Sequence, residues 1–382
     1  MKQQIVALIE PAHRDSALCA QSIKGLETGA ARYGAEVIKV AAVEDMPDMK
    51  AGSAAVVVSL SAQWTAETVE LLRRLGAKSI LLGVLSEEYD DDDVSGPALN
   101  RYRLVQDMVG YFVHAGRKRL ASVGNESHDI NDMTRRDAFL DSVAACGLQV
   151  SEEDVFYGDQ GVIDCIERFL ASAHRYDGAL CVNDFVAVEL MARAKQQGIC
   201  IPRDLYVAGS GDFRIGQITK PTLTTSTLDY QQMGTLAVEI WHLLSMNNAL
   251  EKIRMFISYR IIVRDSTERH PPVMLLEPPR LNQRSLPVQV GTSQMTLKRF
   301  EEYLLRCDAL DLRLLDQIAL SKSIESIAAS LYVSAGTVNY RLRNAYQMLE
   351  IEDKRSLTAF LQEYAYDSKA DCLVKPDNPL TS

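Results

Sequence analysis

The spacing of apolar positions changes character along the chain. Short unbroken apolar runs, such as "QIVALIE" (4–10) and "AAVVVSLS" (54–61), predict strands buried on both faces. Between such runs lie segments with apolar residues at helical spacing: "SALCAQSIKGLETGAARYG" (16–34), "TAETVELLRRLG" (65–76) and "RYRLVQDMVGYFVHAG" (101–116). The alternation continues through strand "RLASVG", helix "MTRRDAFLDSVAACG", strand "DVFYG", helix "VIDCIERFLASA", strand "DGALCVN", helix "DFVAVELMARAKQQG" and strand "LYVAGSG" (205–211). Regular β–α alternation predicts mostly parallel sheets with helices on both faces, and the number of units suits two similar lobes better than one sheet.

From Thr296 onward the pattern is purely helical, in "LKRFEEYLLRC", "ALDLRLLDQIALS", "SIESIAASLYV", "SAGTVNYRLRNAYQMLEI" and "SLTAFLQEYAY". A proline-rich stretch separates the two regimes. The expected division is a two-lobed ligand-binding domain over 1–268, a linker over 269–293, an all-α helix-turn-helix domain over 294–367 and a disordered tail over 368–382.

Two of the C-terminal helices carry their own signature. Ser323 can cap a helix whose stripe is Ile324, Ile327, Ala328 and Leu331, and the turn "YVS" follows. Ser334 can cap the next helix, whose stripe is Val338, Leu342, Ala345 and Leu349. On the second helix Gly336, Tyr340, Arg343 and Gln347 face away from the stripe, and Asn339 and Arg341 flank it. The whole segment 330–348 lacks a carboxylate although the chain carries a net charge of −10. A helix–turn–helix with an acid-free outer face suits a major groove, where arginine and asparagine meet base edges and phosphates. The DNA-facing set is then Ser334, Thr337, Asn339, Tyr340, Arg341, Arg343 and Asn344. The alternative is a helical hairpin for dimerisation whose arginines are merely solvated.

Composition narrows the classes further. The 382 residues are 47% hydrophobic and 24% charged, a globular balance. No apolar run approaches the roughly 18 residues of a membrane span, and the N-terminus has no signal-peptide pattern, so a cytoplasmic protein is expected. Seven scattered cysteines without a CxxC pair read as reduced thiols with no zinc site. The run Asp90 to Asp93 reads as a solvated loop. "GSGDFRIG" lacks the G-x-G-x-x-G spacing, and no P-loop, HExxH or GxSxG occurs; neither an enzyme nor a cofactor is expected.

Several segments, in order, resemble the effector domain of LacI/GalR-family repressors, which has the type I periplasmic-binding-protein fold. "HAGRKRLASVG" resembles that family's "LGHRRIAFIGG", and "LCVNDFVAVELMARAKQQGICIPRDLYVAGSGD" its "FCANDxxAxGxxxALxExGxxVPxDxxVxGFDD". "KPTLTTSTLDYQQMGTLAVEIW" is similar to "PPLTTVxQPxxxxGxxAVxxL", and "RIIVRDST" to the closing "LIxRxST". "SIESIAASLYVSAGTVNYRL" looks like the core of LuxR-type helix-turn-helix domains, and "TVNYRLRNAYQMLEIEDKRSL" like the ending of PucR-type regulators.

Ligands of such α/β sheets bind beyond strand C-termini. His13 and Arg14 follow the first strand, and Trp64, after "AAVVVSLS", could stack on a sugar. The resemblance adds Arg135 at the "RxxGF" arginine, Asn183 of the "ND" pair, and Tyr230 at an aromatic position. Gly211 replaces the usual sugar-binding aspartate, leaving Asp212. Arg14 and Arg135 would then suit an anionic ligand. The expectation is a homodimeric, ligand-responsive transcription regulator that binds a DNA operator and a sugar or anionic effector in the inter-lobe cleft. The alternative is a cytoplasmic solute-binding receptor whose C-terminal helices only dimerise.

Overall fold

A computed structural model describes residues 3–267 and 293–365, apart from 15, 50–51, 60, 84–93, 129 and 248. The expected linker, the expected tail and the Asp90–Asp93 run therefore lie outside the described residues. In chain order the elements are β1 (Gln4–Ile9), α1 (Ala17–Arg32), β2 (Glu36–Val40), β3 (Ala54–Ser59), α2 (Ala62–Arg74), β4 (Lys78–Gly83), β5 (Val94–Leu99), α3 (Arg101–His114), β6 (Leu120–Asn125), α4 (Ile130–Ala145), β7 (Val155–Tyr157) and α5 (Val162–Ala171). They continue as β8 (Gly178–Cys181), α6 (Asp184–Gln196), β9 (Tyr206–Ala208), α7 (Arg214–Ile218), β10 (Thr225–Leu228), α8 (Tyr230–Met246), β11 (Arg254–Ile257) and β12 (Tyr259–Ile262). Five helices follow: α9 (Ser293–Arg306), α10 (Ala309–Ala319), α11 (Ile324–Leu331), α12 (Ala335–Leu349) and α13 (Lys354–Tyr364).

The chain divides into two compact units and crosses between them three times. The first joins Met1–Asn100 to Leu228–Arg260; the second joins Arg101–Thr227 to the chain from Ile261 on. The first unit holds a six-stranded sheet in the order β11-β5-β4-β3-β1-β2, with parallel pairing throughout. Strands β1 and β3 are buried almost end to end, as their unbroken apolar runs require. Helices α1 and α8 cross here at very short range. A Cβ on Gly234 would overlap the Ser22 carbonyl and lie 2.7 Å from the Leu26 nitrogen, so only glycine permits this approach.

The second unit holds a four-stranded parallel sheet in the order β7-β6-β8-β9. Sequence patterning did not single out β5, "VSGPAL", whose serine, glycine and proline interrupt the apolar signal, or β10 to β12, each only four residues long and too short for an alternation to stand out.

The C-terminal helices are not a free-standing body. One buried cluster runs from Val123, Phe169 and Leu190 beside the second sheet to Leu297, Phe300, Leu342 and Leu361 of the C-terminal helices. The separate C-terminal domain expected from the pattern change is thus, in packing terms, an extension of the second unit. The α12 stripe falls as the periodicity predicts, with Val338, Leu342, Ala345 and Leu349 all buried; of the α11 stripe, Ile327 and Ala328 are buried while Ile324 and Leu331 are half-buried.

Candidate effector pocket and nucleic-acid face

A cavity of about 40 Å³ lies within the second unit, beyond the C-terminal ends of β8 and β9. Leu104, Met108, Phe139, Leu180 and Val182 give it apolar walls, and Ser122, Ser210, Ser226, Arg135 and the Gly209 backbone supply polar groups. The Ser226 hydroxyl donates to Ser210 Oγ at 2.8 Å, and Asn125 Nδ2 donates to Ser122 Oγ at 2.8 Å. Arg135 hydrogen-bonds and ion-pairs through Nη1 to Asp132 Oδ1, one helical turn away. The guanidinium already has a carboxylate partner and does not by itself give this wall a net positive charge.

Asn183 and Asp184 open α6 beside the cavity. Asn183 is the N-cap, its Oδ1 accepting the Val186 N–H at 3.0 Å. Asp184 is fully buried and accepts from the Thr225 hydroxyl at 2.6 Å and the Phe213 N–H at 2.8 Å. Burial pushes its carboxyl up to about 7, against the lowering effect of those two bonds. Asp212 sits in the left-handed region (φ 54°), and its Oδ1 accepts from Arg264 Nη2 at 2.5 Å. Of the seven ligand residues expected from sequence, Arg135 lines the cavity, while Asn183 and Asp212 stand in the same unit with those intramolecular partners.

The other four belong to the first unit. Arg14 is exposed, the His13 side chain lies outside the described residues, and Tyr230 begins α8. Trp64 packs against the cluster built around Val57, Leu72 and Leu81. Sequence reading missed Ser122, Ser210 and Ser226, since isolated serines carry no spacing signal. It also missed the burial of Asp184, although the "ND" pair drew attention to its neighbour.

The second candidate site is the outer face of α12. Ser334 Oγ accepts the Thr337 N–H at 3.0 Å and lies 2.9 Å from Thr337 Oγ1, so both residues serve the cap. Asn339, Arg343 and Asn344 are exposed, and Tyr340 is 66% exposed. Tyr332, in the turn between α11 and α12, takes the left-handed conformation (φ 57°) and is 95% exposed, an aromatic that the turn signal "YVS" had hidden. Arg341 differs from its neighbours: its Nη1 donates to Asp308 Oδ2 at 2.9 Å and Asp311 Oδ1 at 2.6 Å. The segment is acid-free in sequence, yet the fold delivers two carboxylates to its flank from the start of α10. A groove of about 730 Å³ bounded by Tyr303, Arg306, Thr337, Tyr340 and Gln347 runs beside this arginine.

Comparison with known proteins places the fold. Residues 109–267 match the family described as "Periplasmic binding protein-like domain". The HTH-type transcriptional regulator RegA of Clostridium saccharobutylicum is 22% identical over 216 residues, 55% of this chain and 64% of that protein. The chain thus spans less than two thirds of that relative's length. A transcription regulator from Lactobacillus plantarum superposes with a TM-score of 0.56 at 19% identity, over 70% of this chain and 100% of that one. The CCPA regulator of Weissella paramesenteroides, solved with bound sucrose, gives a TM-score of 0.53 at 19% identity, over 70% of this chain and 99% of that one. Among the described residues no helix is long and apolar enough to cross a membrane, and no cluster of metal-ligating side chains occurs. This chain carries a periplasmic-binding-protein-like domain of the type I α/β fold, similar to that of LacI-family regulators.

Proposed function

We propose that this protein is a cytoplasmic, ligand-responsive transcription regulator whose DNA-binding element is the C-terminal helix-turn-helix α11–α12. The observation that carries the reading is the outer face of α12. It buries its apolar stripe completely and presents Asn339, Tyr340, Arg343 and Asn344 to solvent, and Tyr332 is exposed in the turn before it. Relatives described as transcriptional regulators support the class. The effector is a small molecule of sugar-like or related metabolite chemistry, as the sucrose bound to the Weissella protein suggests, and the cavity of the second unit contributes to its site. The protein acts as a homodimer on paired half-sites.

A gel shift of the intact protein on the gene's own upstream DNA tests the reading. Binding at low salt that weakens as salt rises is expected, because each phosphate contact releases counterions. Arg343→Ala is expected to lose about 1–3 kcal/mol of specific binding if the side chain reads a base. A dimeric protein that shifts no DNA, with or without candidate sugars, leaves the solute-binding receptor as the better reading.

A further inference from the structure

The joint between the C-terminal helices and the second unit contains a buried carboxylate with a specific task. Glu301, on α9, is 6% exposed. Its Oε1 accepts the Arg214 N–H at 2.9 Å and its Oε2 the Ile215 N–H at 2.7 Å, so both oxygens hold the backbone at the start of α7. Arg214 Nη1 returns a bond to the Leu304 carbonyl at 2.8 Å. A second contact lies further along the same joint, where the Tyr364 hydroxyl donates to the buried Glu189 at 3.2 Å.

The residues that Glu301 grips follow directly on the cavity wall. Gly209 and Ser210 line the cavity. The Ser210 carbonyl accepts the Asp184 N–H at 3.1 Å, and the Asp184 carboxylate holds the Phe213 N–H. Arg214 and Ile215, the next two residues, present their N–H groups to Glu301. The segment 209–215 therefore has the cavity at one end and α9 at the other, with Asp184 as its pivot. The α12 face stays exposed while the joint is made. The joint fixes the recognition helix to the cavity segment and does not occlude it.

We propose that Glu301 is a positioning residue that couples the 209–215 segment to the C-terminal helices, so that a displacement at the cavity wall is transmitted to the helix-turn-helix through the second unit. The transmission step rests on the proposed function only for its biological meaning. The mechanical coupling stands on the contacts alone and can be measured without effector or DNA.

Hydrogen exchange on the full chain tests it with Glu301→Ala, Glu301→Gln, Gly209→Ala and the double variants. A Cβ on Gly209 would overlap Asp184 Oδ1 and meet its Cα at 3.0 Å, so Gly209→Ala displaces the pivot from the cavity side. Glu301→Ala is expected to speed exchange about tenfold at residues 214–215 and in α9, because two buried donors lose their acceptor. Glu301→Gln keeps one acceptor oxygen and falls between. Gly209→Ala alone is expected to speed α9 exchange, and to add nothing once Glu301 is replaced. Unchanged α9 exchange in Glu301→Ala overturns the proposal, and so do effects of Gly209→Ala and Glu301→Ala that simply add. If Glu301→Ala does not fold, Glu301→Gln takes its place in the cycle, and additive effects there overturn the proposal equally. A coupled exchange pattern in a protein that shifts no DNA would remove the proposed function and leave the coupling intact.

Discussion

At the scale of single residues, Asp184 and Arg341 show how tertiary partners redefine a side chain. Burial raises the Asp184 carboxyl to about 7, whereas in the unfolded chain it titrates at about 3.9. Between these values the native state holds the extra proton, so stability present at acid pH is lost as pH rises toward and through 7. Asp184→Asn has nothing to ionise, and its amide can accept from the Phe213 N–H while donating to Thr225 Oγ1. Thermal melts at pH 5 and pH 8 should show the variant gaining on the native protein as pH rises, by about 1.4 kcal/mol for each pH unit climbed below the folded carboxyl's titration point. For Arg341 the expectation from its neighbours' pattern is a free phosphate contact. With Asp308 and Asp311 already paired to it, a phosphate must displace two carboxylates. Arg341→Ala is therefore expected to flatten the slope of log affinity against log salt by less than the ~0.9 of a full contact, and to lower the thermal stability of the helical region slightly. On the proposed DNA-binding role of α12, Arg343→Ala should do the reverse: DNA affinity falls and the melt is unchanged. Both are read from salt titrations beside melting curves.

At the scale of elements, the helices were legible because their information is local. Capping serines, stripes at i, i+3, i+4 and i+7, and turn residues lie within a few positions of one another, and α9 to α13 form where those signals stand. Leu342, 1% exposed in the α12 stripe, tests that element: Leu342→Ala should lose roughly 2–5 kcal/mol, measured by denaturant titration of the full chain. The α1–α8 crossing is legible only in part. Gly234 stands out in "QQMGTLAV", but that its missing side chain admits the Ser22 carbonyl requires the packed pair. Gly234→Ala overpacks that crossing and should destabilise the first unit by about 1–3 kcal/mol, visible as a lower melting temperature.

At the scale of the whole molecule, the buried cluster shared by the second sheet's helices and α9 to α13 makes these parts one folding body. Phe300, fully buried, meets Phe360 edge-on at 5.0 Å. Phe300→Ala should lose about 3–5 kcal/mol, and hydrogen exchange should speed in α6 and α7 as well as in α10 to α13. Protection lost only in the C-terminal helices would show the two to be independent. Sequence alone determined the β–α alternation, the change to pure helix near residue 296, the buried stripe of α12 and the caps at Ser323 and Ser334. Each of these depends on residues a few positions apart, which the backbone's own periodicity brings together. Tertiary structure alone decided that Arg341 meets Asp308 and Asp311, that Asp184 is buried under Thr225 and Phe213, that three scattered serines share one cavity, and that Glu301 grips the backbone at Arg214. Those partners lie tens of residues apart, and no spacing rule encodes them. They are chosen when apolar faces pack and leave each buried polar group only the partners that packing happens to supply.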